Sequence, residues 1–295
     1  MNDTAYQISL DMHTLRNILA WLRSDGRHFQ IIAQISFLLY GILLLGWDAD
    51  WQNYAAIFSG VLVAQALAIR FAGFPMHSLK SALITGLGLS LLMKANSPWL
   101  FLFAALMAIG MKFLTKVNGK HLWNPANFGI VIAAALSGDA WISPGQWGSS
   151  AVIVLIVGTA GLAVLSNIKR LETGVAFLLT FAALEYARTV LYLGWEHDVF
   201  FLKLSSGSLW LFSFFMITDP MTTPNHRRLR IVWAMAVGGI SFYVANFYFI
   251  NGAPFWTLFF LTPFTPLLDA LTPRLAAFSW KKSNQPISNL HNSIR

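Results

Sequence analysis

The chain has no cysteine and very little charge. Of its 295 residues only 11% are Asp, Glu, Lys or Arg, against about 25% in an ordinary soluble domain. Without cysteine there are no disulfides, no thiolate-held iron–sulfur clusters, no Cys zinc sites and no Cys nucleophiles. So little charge leaves too little polar surface to cover a water-soluble globule, and 56% of the residues are hydrophobic, with mean hydropathy +0.59. The seven histidines, His13, His28, His77, His121, His197, His226 and His291, all fall outside the apolar segments defined below, which argues against a transmembrane bis-His haem. No phosphate loop, nucleophile elbow or kinase signature is present. No cleavable signal peptide is expected, because the first 28 residues are polar and no small-residue cleavage site follows an apolar core. The class that remains is a polytopic membrane protein with the lipid bilayer as its solvent.

A membrane-crossing helix needs about 20 mostly apolar residues. Ten such segments are predicted, several of them short: Phe29–Gly46, Tyr54–Ile69, Leu79–Met93, Pro98–Leu114, Pro125–Leu136, Ser150–Ile168, Thr173–Leu193, Gly207–Thr218, Ile231–Ile250 and Pro254–Ala270. The net charge of +8 would suggest nucleic acid in a soluble protein. Here its distribution gives another meaning. With ten spans and the N-terminus inside, 17 of the 20 Lys and Arg fall on inner tails and loops, while Lys94 and Lys203 fall outside and Arg188 within a span. Such a bias orients membrane proteins, so both termini are expected in the cytoplasm of a bacterial-type inner membrane, with no nucleic-acid partner.

The segments divide five and five: a tail over 1–28, a first repeat over 29–136, a second over 150–270 and a tail over 271–295. An odd number of spans per half makes the second half, if related to the first, inverted relative to it. The third span of each half is short. One runs into Met93-Lys94-Ala95-Asn96-Ser97-Pro98 and the other ends in Met216-Ile217-Thr218-Asp219-Pro220. Broken helices at matching places point to a buried site, because freed backbone groups need protein or a water-filled cavity beside them. The fold class expected is therefore all-α, about ten transmembrane helices in a 5+5 inverted repeat, with the third and eighth spans broken.

Few polar residues lie within or beside these spans. Asn124 is a good N-cap ahead of Pro125 at the first helical position, and Asn127 lies one turn on. The two amides either read the polar edge of a planar heterocycle or serve as a cap and an interhelical bond. Asp219 either helps coordinate a cation or closes a local turn, and the nearby Arg227, Arg228 and Arg230 fit the positive-inside rule. Glu185 and Arg188, three apart in the seventh span, are expected to pair, since unpaired charge at mid-membrane is costly. Asp269 faces the interface or meets Arg274. Trp21, Trp47, Trp51, Trp99, Trp141 and Trp195 sit near span ends, as interfacial anchors do.

Two motifs carry a resemblance. Gly119–Gly129, with its Asn124-Pro125-Ala126-Asn127 core, and Phe215-Met216-Ile217-Thr218-Asp219-Pro220 followed by Thr223-Pro224 resemble the NqrB/RnfD family. Members are membrane subunits of sodium-pumping NADH:quinone and ferredoxin:NAD oxidoreductases. Asp25-Gly26-Arg27-His28-Phe29-Gln30 resembles the family's entry to its first span, and Ser81-Ala82-Leu83-Ile84-Thr85-Gly86 its third. The likeness covers roughly residues 23–280 and is nearest to the short stand-alone branch labelled RnfD-like or UnbU-like. It implies a fold similar to urea transporters and a non-covalent flavin, riboflavin or FMN, held by Asn124 and Asn127 with Gly86 and Gly88 opposite. Thr218, Asp219 and Thr223 are the other candidate binding residues. The family also carries FMN linked to a threonine in a Ser-Gly-Ala-Thr type motif. The nearest string here, Ser137-Gly138-Asp139-Ala140-Trp141, has no threonine acceptor, so covalent FMN is not expected.

Two functions follow. One is a flavin-binding membrane protein of electron transport, acting as a redox or non-catalytic subunit, coupled or not to cation movement, with a redox partner protein or a small quinone-like ligand. The other is a non-redox channel or transporter for a small solute or ion, built on the same fold.

Overall fold

Inside a bilayer every backbone N–H and C=O must find a partner within the protein, so helices dominate and their ends need closing. The computed structural model describes residues 16–17, 20–22, 24–73, 75–143, 147, 157–162 and 170–272. The predicted sixth segment, Ser150–Ile168, lies outside the described residues except for a helical stretch over 157–162, and both tails lie mostly outside them. The first half comprises α1 (Gly26–Leu44), α2 (Trp51–Ala72), α3 (Leu79–Leu92), α4 (Pro98–Leu114) and α5 (Pro125–Ser137). In the second half, α6 (Leu171–Tyr186) continues as a π-helix over Ala187–Tyr192, and α7 (His197–Leu204) precedes α8 (Gly207–Leu211), which continues as a π-helix over Phe212–Met216. Then come α9 (Arg227–Phe247), α10 (Ala253–Leu261) and α11 (Thr265–Ala270).

The chain is a mostly helical, polytopic membrane protein. Four stretches, Gly26–Leu44, Trp51–Phe71, Leu171–Tyr192 and Arg227–Phe247, are each long and apolar enough to cross a membrane, and α7 with α8, bent by 53°, make a fifth if counted as one span. Among the described residues length alone does not reach ten, because α3, α4 and α5 have 14, 17 and 13 residues. The surface is apolar, with Leu44, Phe71, Leu114 and Leu191 among the large exposed side chains, whereas Gln30, Gln34, Gln65, Lys112 and Glu185 are buried. Such contiguous exposed apolar surface suits lipid.

Local chemistry sets the helix starts. Asp25 caps α1 through Arg27 N and also pairs with the Arg27 side chain, so the helix begins three residues ahead of the predicted Phe29 and takes in His28. Ser97 and Asn124 cap α4 and α5 ahead of Pro98 and Pro125. Between these two helices Lys116–Val117 (β1 of a small hairpin) pairs with Lys120–His121 (β2). Its turn, Asn118-Gly119, has positive φ at both residues (52° and 80°), the geometry that Asn-Gly favours in two-residue hairpins.

The predicted break after the third span has a specific closure. Met93–Ala95 (β3) leaves α3 as an extended strand and pairs antiparallel with Ala140–Ile142 (β4), beyond α5, in the register Met93↔Ile142 and Ala95↔Ala140. The last carbonyls of α3 are also answered: Trp147 Nε1 donates to Leu91 O and Ser143 N to Leu92 O. The string Ser137–Trp141 thus supplies a helix end and a strand, and Asn96 Nδ2 donates to Asp139 there. α4 and α5 pack through small residues; a Cβ on Gly129 would stand 2.5 Å from Ala104 O and 3.1 Å from Ala108 Cβ. Close backbone approach of this kind is how membrane helices gain van der Waals contact when lipid offers no hydrophobic drive.

Several expectations are corrected. Glu185 does not pair with Arg188. It pairs with Lys203, in the stretch read as an outer loop that instead forms α7, while the Arg188 guanidinium lies over the Phe247 ring at 5.4 Å. The helix passes into a π-helix at Ala187, which changes the spacing that would set Arg188 beside Glu185, and α7 brings an ammonium directly to the carboxylate. Trp47 is buried (8% exposed), edge-on to fully buried Trp147 at 4.8 Å, so it belongs to the core. Trp51 and Trp99 remain highly exposed, as anchors would be. Asp269 meets Lys120 and Asn225; Arg274 lies outside the described residues.

Candidate functional site

A cavity of about 400 Å³ opens between the N-terminal turns of α1, the middle of α3, the end of α4, the β1–β2 hairpin, the start of α5 and the π-helical end of α8. Both broken elements, α3 and α8, line it. Such a volume falls in the range of small-molecule sites.

The polar floor is built from two chain breaks facing each other. Asn124 caps α5 by accepting from Asn127 N at 3.1 Å through its Oδ1, leaving its Nδ2 to donate to Asp219 Oδ2 at 3.1 Å. Asp219 also accepts from Met221 N at 2.9 Å, and its carbonyl gathers Thr222 and Thr223 into a tight turn. Asp219 is therefore both the local turn residue and a cross-chain acceptor. Burial raises its carboxyl above the usual carboxylate range, opposed by Met221 N–H, Asn124 and the Lys120 and Lys112 ammoniums.

Of the predicted site residues, Asn124, Gly88, Thr218 and Asp219 line the cavity. Asn127 is not among its lining residues: fully buried, it donates through Nδ2 to Phe255 O on α10 at 3.1 Å, and its Oδ1 has no protein partner. Gly86 faces α2, where a Cβ would meet Phe58 at 3.0 Å. Thr223 holds the turn behind Asp219, its hydroxyl donating to Asp219 O and its carbonyl accepting from Lys120.

The cavity also has a cationic and amide wall whose residues were not among the predicted site residues. Arg27, Gln30, Gln34, His77, Lys112, Lys116 and His121 all contribute. Lys112 donates to Gln65 Oε1 at 2.9 Å, and Gln65 Nε2 to Ser78 Oγ. The available signal was glutamine inside otherwise apolar spans, costly enough in lipid to imply an interior role. Two of the lining groups, Gln34 Oε1 and His121 Nδ1, are buried atoms without a protein partner. Burial, reinforced by Lys112 and Lys116, pushes His121 from 6.5 down to about 4. The unfolded chain takes up a proton near pH 6.5 and the fold does not until about 4, so the stabilising effect is complete above the former and lost as pH falls toward the latter. Thermal unfolding midpoints are expected to drop between those values by the equivalent of about 3 kcal/mol. H121Q should flatten that slope; an unchanged slope would remove His121 as its cause.

The turn carrying Asp219 is fastened from behind. Arg230, buried in the first turn of α9, pairs with Glu172 and donates to Pro224 O and Asn225 O at 3.2 and 3.0 Å, while Arg170 donates to Pro224 O. Arg227 and Arg228 are exposed. Lys120 adds a clamp from the hairpin to Asp269 at 2.8 Å.

The model of the NQR2, RnfD, RnfE family matches residues 133–277, the stretch that carries Asp219 and its turn. That part of the chain is similar to the NQR2, RnfD, RnfE family. The D component of the ion-translocating oxidoreductase complex of Halorhodospira halophila is similar as well, 25% identical over 314 aligned residues that cover 81% of this chain and 87% of that one. The family stretch begins beyond Asn124 and Asn127, so the cavity joins residues inside the match to residues ahead of it.

Proposed function

We propose that the chain is the membrane subunit of an ion-translocating oxidoreductase of the RnfD/NqrB type, working with other protein subunits, and that its cavity takes a non-covalent flavin. The observation carrying this reading is the convergence of both broken spans, α3 and α8, on one cavity, with the Asn124–Asp219 bond across it. The lining fits such a group: it pairs an apolar wall of Leu91, Phe214 and Phe215 with buried polar atoms, Gln34 Oε1 and His121 Nδ1, that lack a protein partner. Asn124, Thr218 and Gln34 would bind the polar edge of the ring, Gly88 would leave room for its face, and the phenylalanines would exclude water. A flavin supplies one- and two-electron transfer when bound. Lys112, Lys116 and Arg27 would favour its reduced, negatively charged form, since charge near the ring is the protein's lever on potential.

The ten-span inverted repeat, the inner-membrane location and the cytoplasmic termini belong to this reading, supported by the skew of basic residues. Neither the family description nor the relative's name favours the solute-channel alternative. Gently purified protein is expected to show flavin absorbance that denaturation releases. A colourless preparation that rebinds neither riboflavin nor FMN would overturn the assignment.

A further inference from the structure

A second polar cluster lies at the other end of the second half. Asn246 is 19 residues along α9 from Arg227, which at 1.5 Å per residue puts it roughly 29 Å from the cavity end. Here Glu185, 1% exposed, accepts from Thr189 Oγ1 at 3.0 Å and from Asn246 Nδ2 at 2.7 Å. The Lys203 ammonium from α7 sits among three oxygens: Glu185 Oε1, Thr189 Oγ1 at 3.4 Å and Asn246 Oδ1 at 3.4 Å. Thr189 comes from the π-helical continuation of α6, a distortion often found at functional sites.

We propose that this cluster is a monovalent cation site whose occupant in this structure is the chain's own Lys203 ammonium. The charge balance is that of a site for a single positive charge. One carboxylate faces it, and the other two oxygens are neutral, whereas calcium sites collect several carboxylates among six to eight oxygens. As a carboxylate Glu185 calls for a cation beside it, because a lone charge inside the membrane region is strongly disfavoured. Lys203 has an alternative place to go: its ammonium lies 5.8 Å from the centre of the exposed Trp195 ring, a surface that accepts cations. The bend of 53° between α7 and α8 separates the short helix carrying Lys203 from the rest of that span. An alkali cation entering the three oxygens would displace Lys203 toward Trp195 and leave the charge at Glu185 compensated.

The inference does not depend on flavin in the cavity, and its test involves no redox readout. In the full-length protein in detergent, K203M is expected to unfold at a higher temperature in sodium or potassium chloride than in choline chloride of equal ionic strength. The wild type should show a much smaller difference, and E185Q/K203M none. Equal stability of K203M in all three salts would overturn the site. If K203M does not fold, amine-directed labelling of wild-type Lys203, followed by mass spectrometry, decides. Several-fold faster labelling in sodium or potassium than in choline supports displacement, and identical rates refute it.

Discussion

Asn124→Ala is expected to lower stability by about 2–4 kcal/mol and to empty the protein of bound flavin. Two losses add. The N-cap of α5 is worth about 1 kcal/mol, because Asn124 Oδ1 answers the otherwise orphaned Asn127 N–H. The second is the donor to Asp219, whose buried carboxylate keeps only Met221 N–H and the more distant lysine charges; leaving a buried polar group short of a partner costs about 1–3 kcal/mol. Two comparison variants separate the contributions. Asn124→Ser keeps the cap but has no amide to give Asp219, so it should recover part of the stability and little of the flavin. Asn124→Asp keeps the cap and sets a second carboxylate against Asp219, so the pair must share a proton and the variant should be more stable in mild acid than at neutral pH relative to wild type. Thermal unfolding and the flavin-to-protein absorbance ratio measure both effects. Full flavin retention in Asn124→Ala would show that this amide does not hold the ligand.

Arg230→Met is expected to cost about 3–5 kcal/mol, the usual result of removing one partner from a buried ion pair. Glu172 would be left without its partner, Asn225 O would lose the Arg230 donor, and Pro224 O would keep only Arg170. The turn from Asp219 to Asn225 depends on this fork, so the effect should reach the cavity, seen as faster limited proteolysis within that turn and weaker flavin retention. Arg230→Lys keeps the charge but not the planar fork, and should recover the Glu172 contact while recovering only part of the turn's protection. Wild-type cleavage rates in Arg230→Met would mean that Arg170, Lys120 and the Asp219 turn suffice to hold the segment.

Much of this was readable from local chemistry. Asn124 before Pro125 marked a helix start that the structure places within one residue, because capping is settled by neighbours three positions apart. Pro98–Leu114 is a helix with the bounds expected. The shortness of the third span and the Thr218-Asp219-Pro220 end of the eighth pointed to breaks; both broken spans line the cavity, the eighth with its break as well. Glu185 was marked as needing a cation, because lipid makes that demand of any buried carboxylate.

The partners were not readable. Glu185 takes Lys203, 18 residues away, in place of Arg188 on its own helix, because α7 folds back where the charge pattern suggested only a loop. Asn127 turned toward Phe255, 128 residues on, and away from the cavity that its neighbour Asn124 lines. The wall of Arg27, Gln34, Lys112 and His121 comes from four separate stretches, and although Arg27 and His121 lie within motifs, nothing local marked them as facing one cavity. What the sequence determined alone was the solvent, the helix starts and the places where helices must break, since these follow from composition and from contacts within a turn or two. Which group closes each break, and which charge meets which, only the tertiary structure decided, because those pairings depend on how helices distant in the chain pack together.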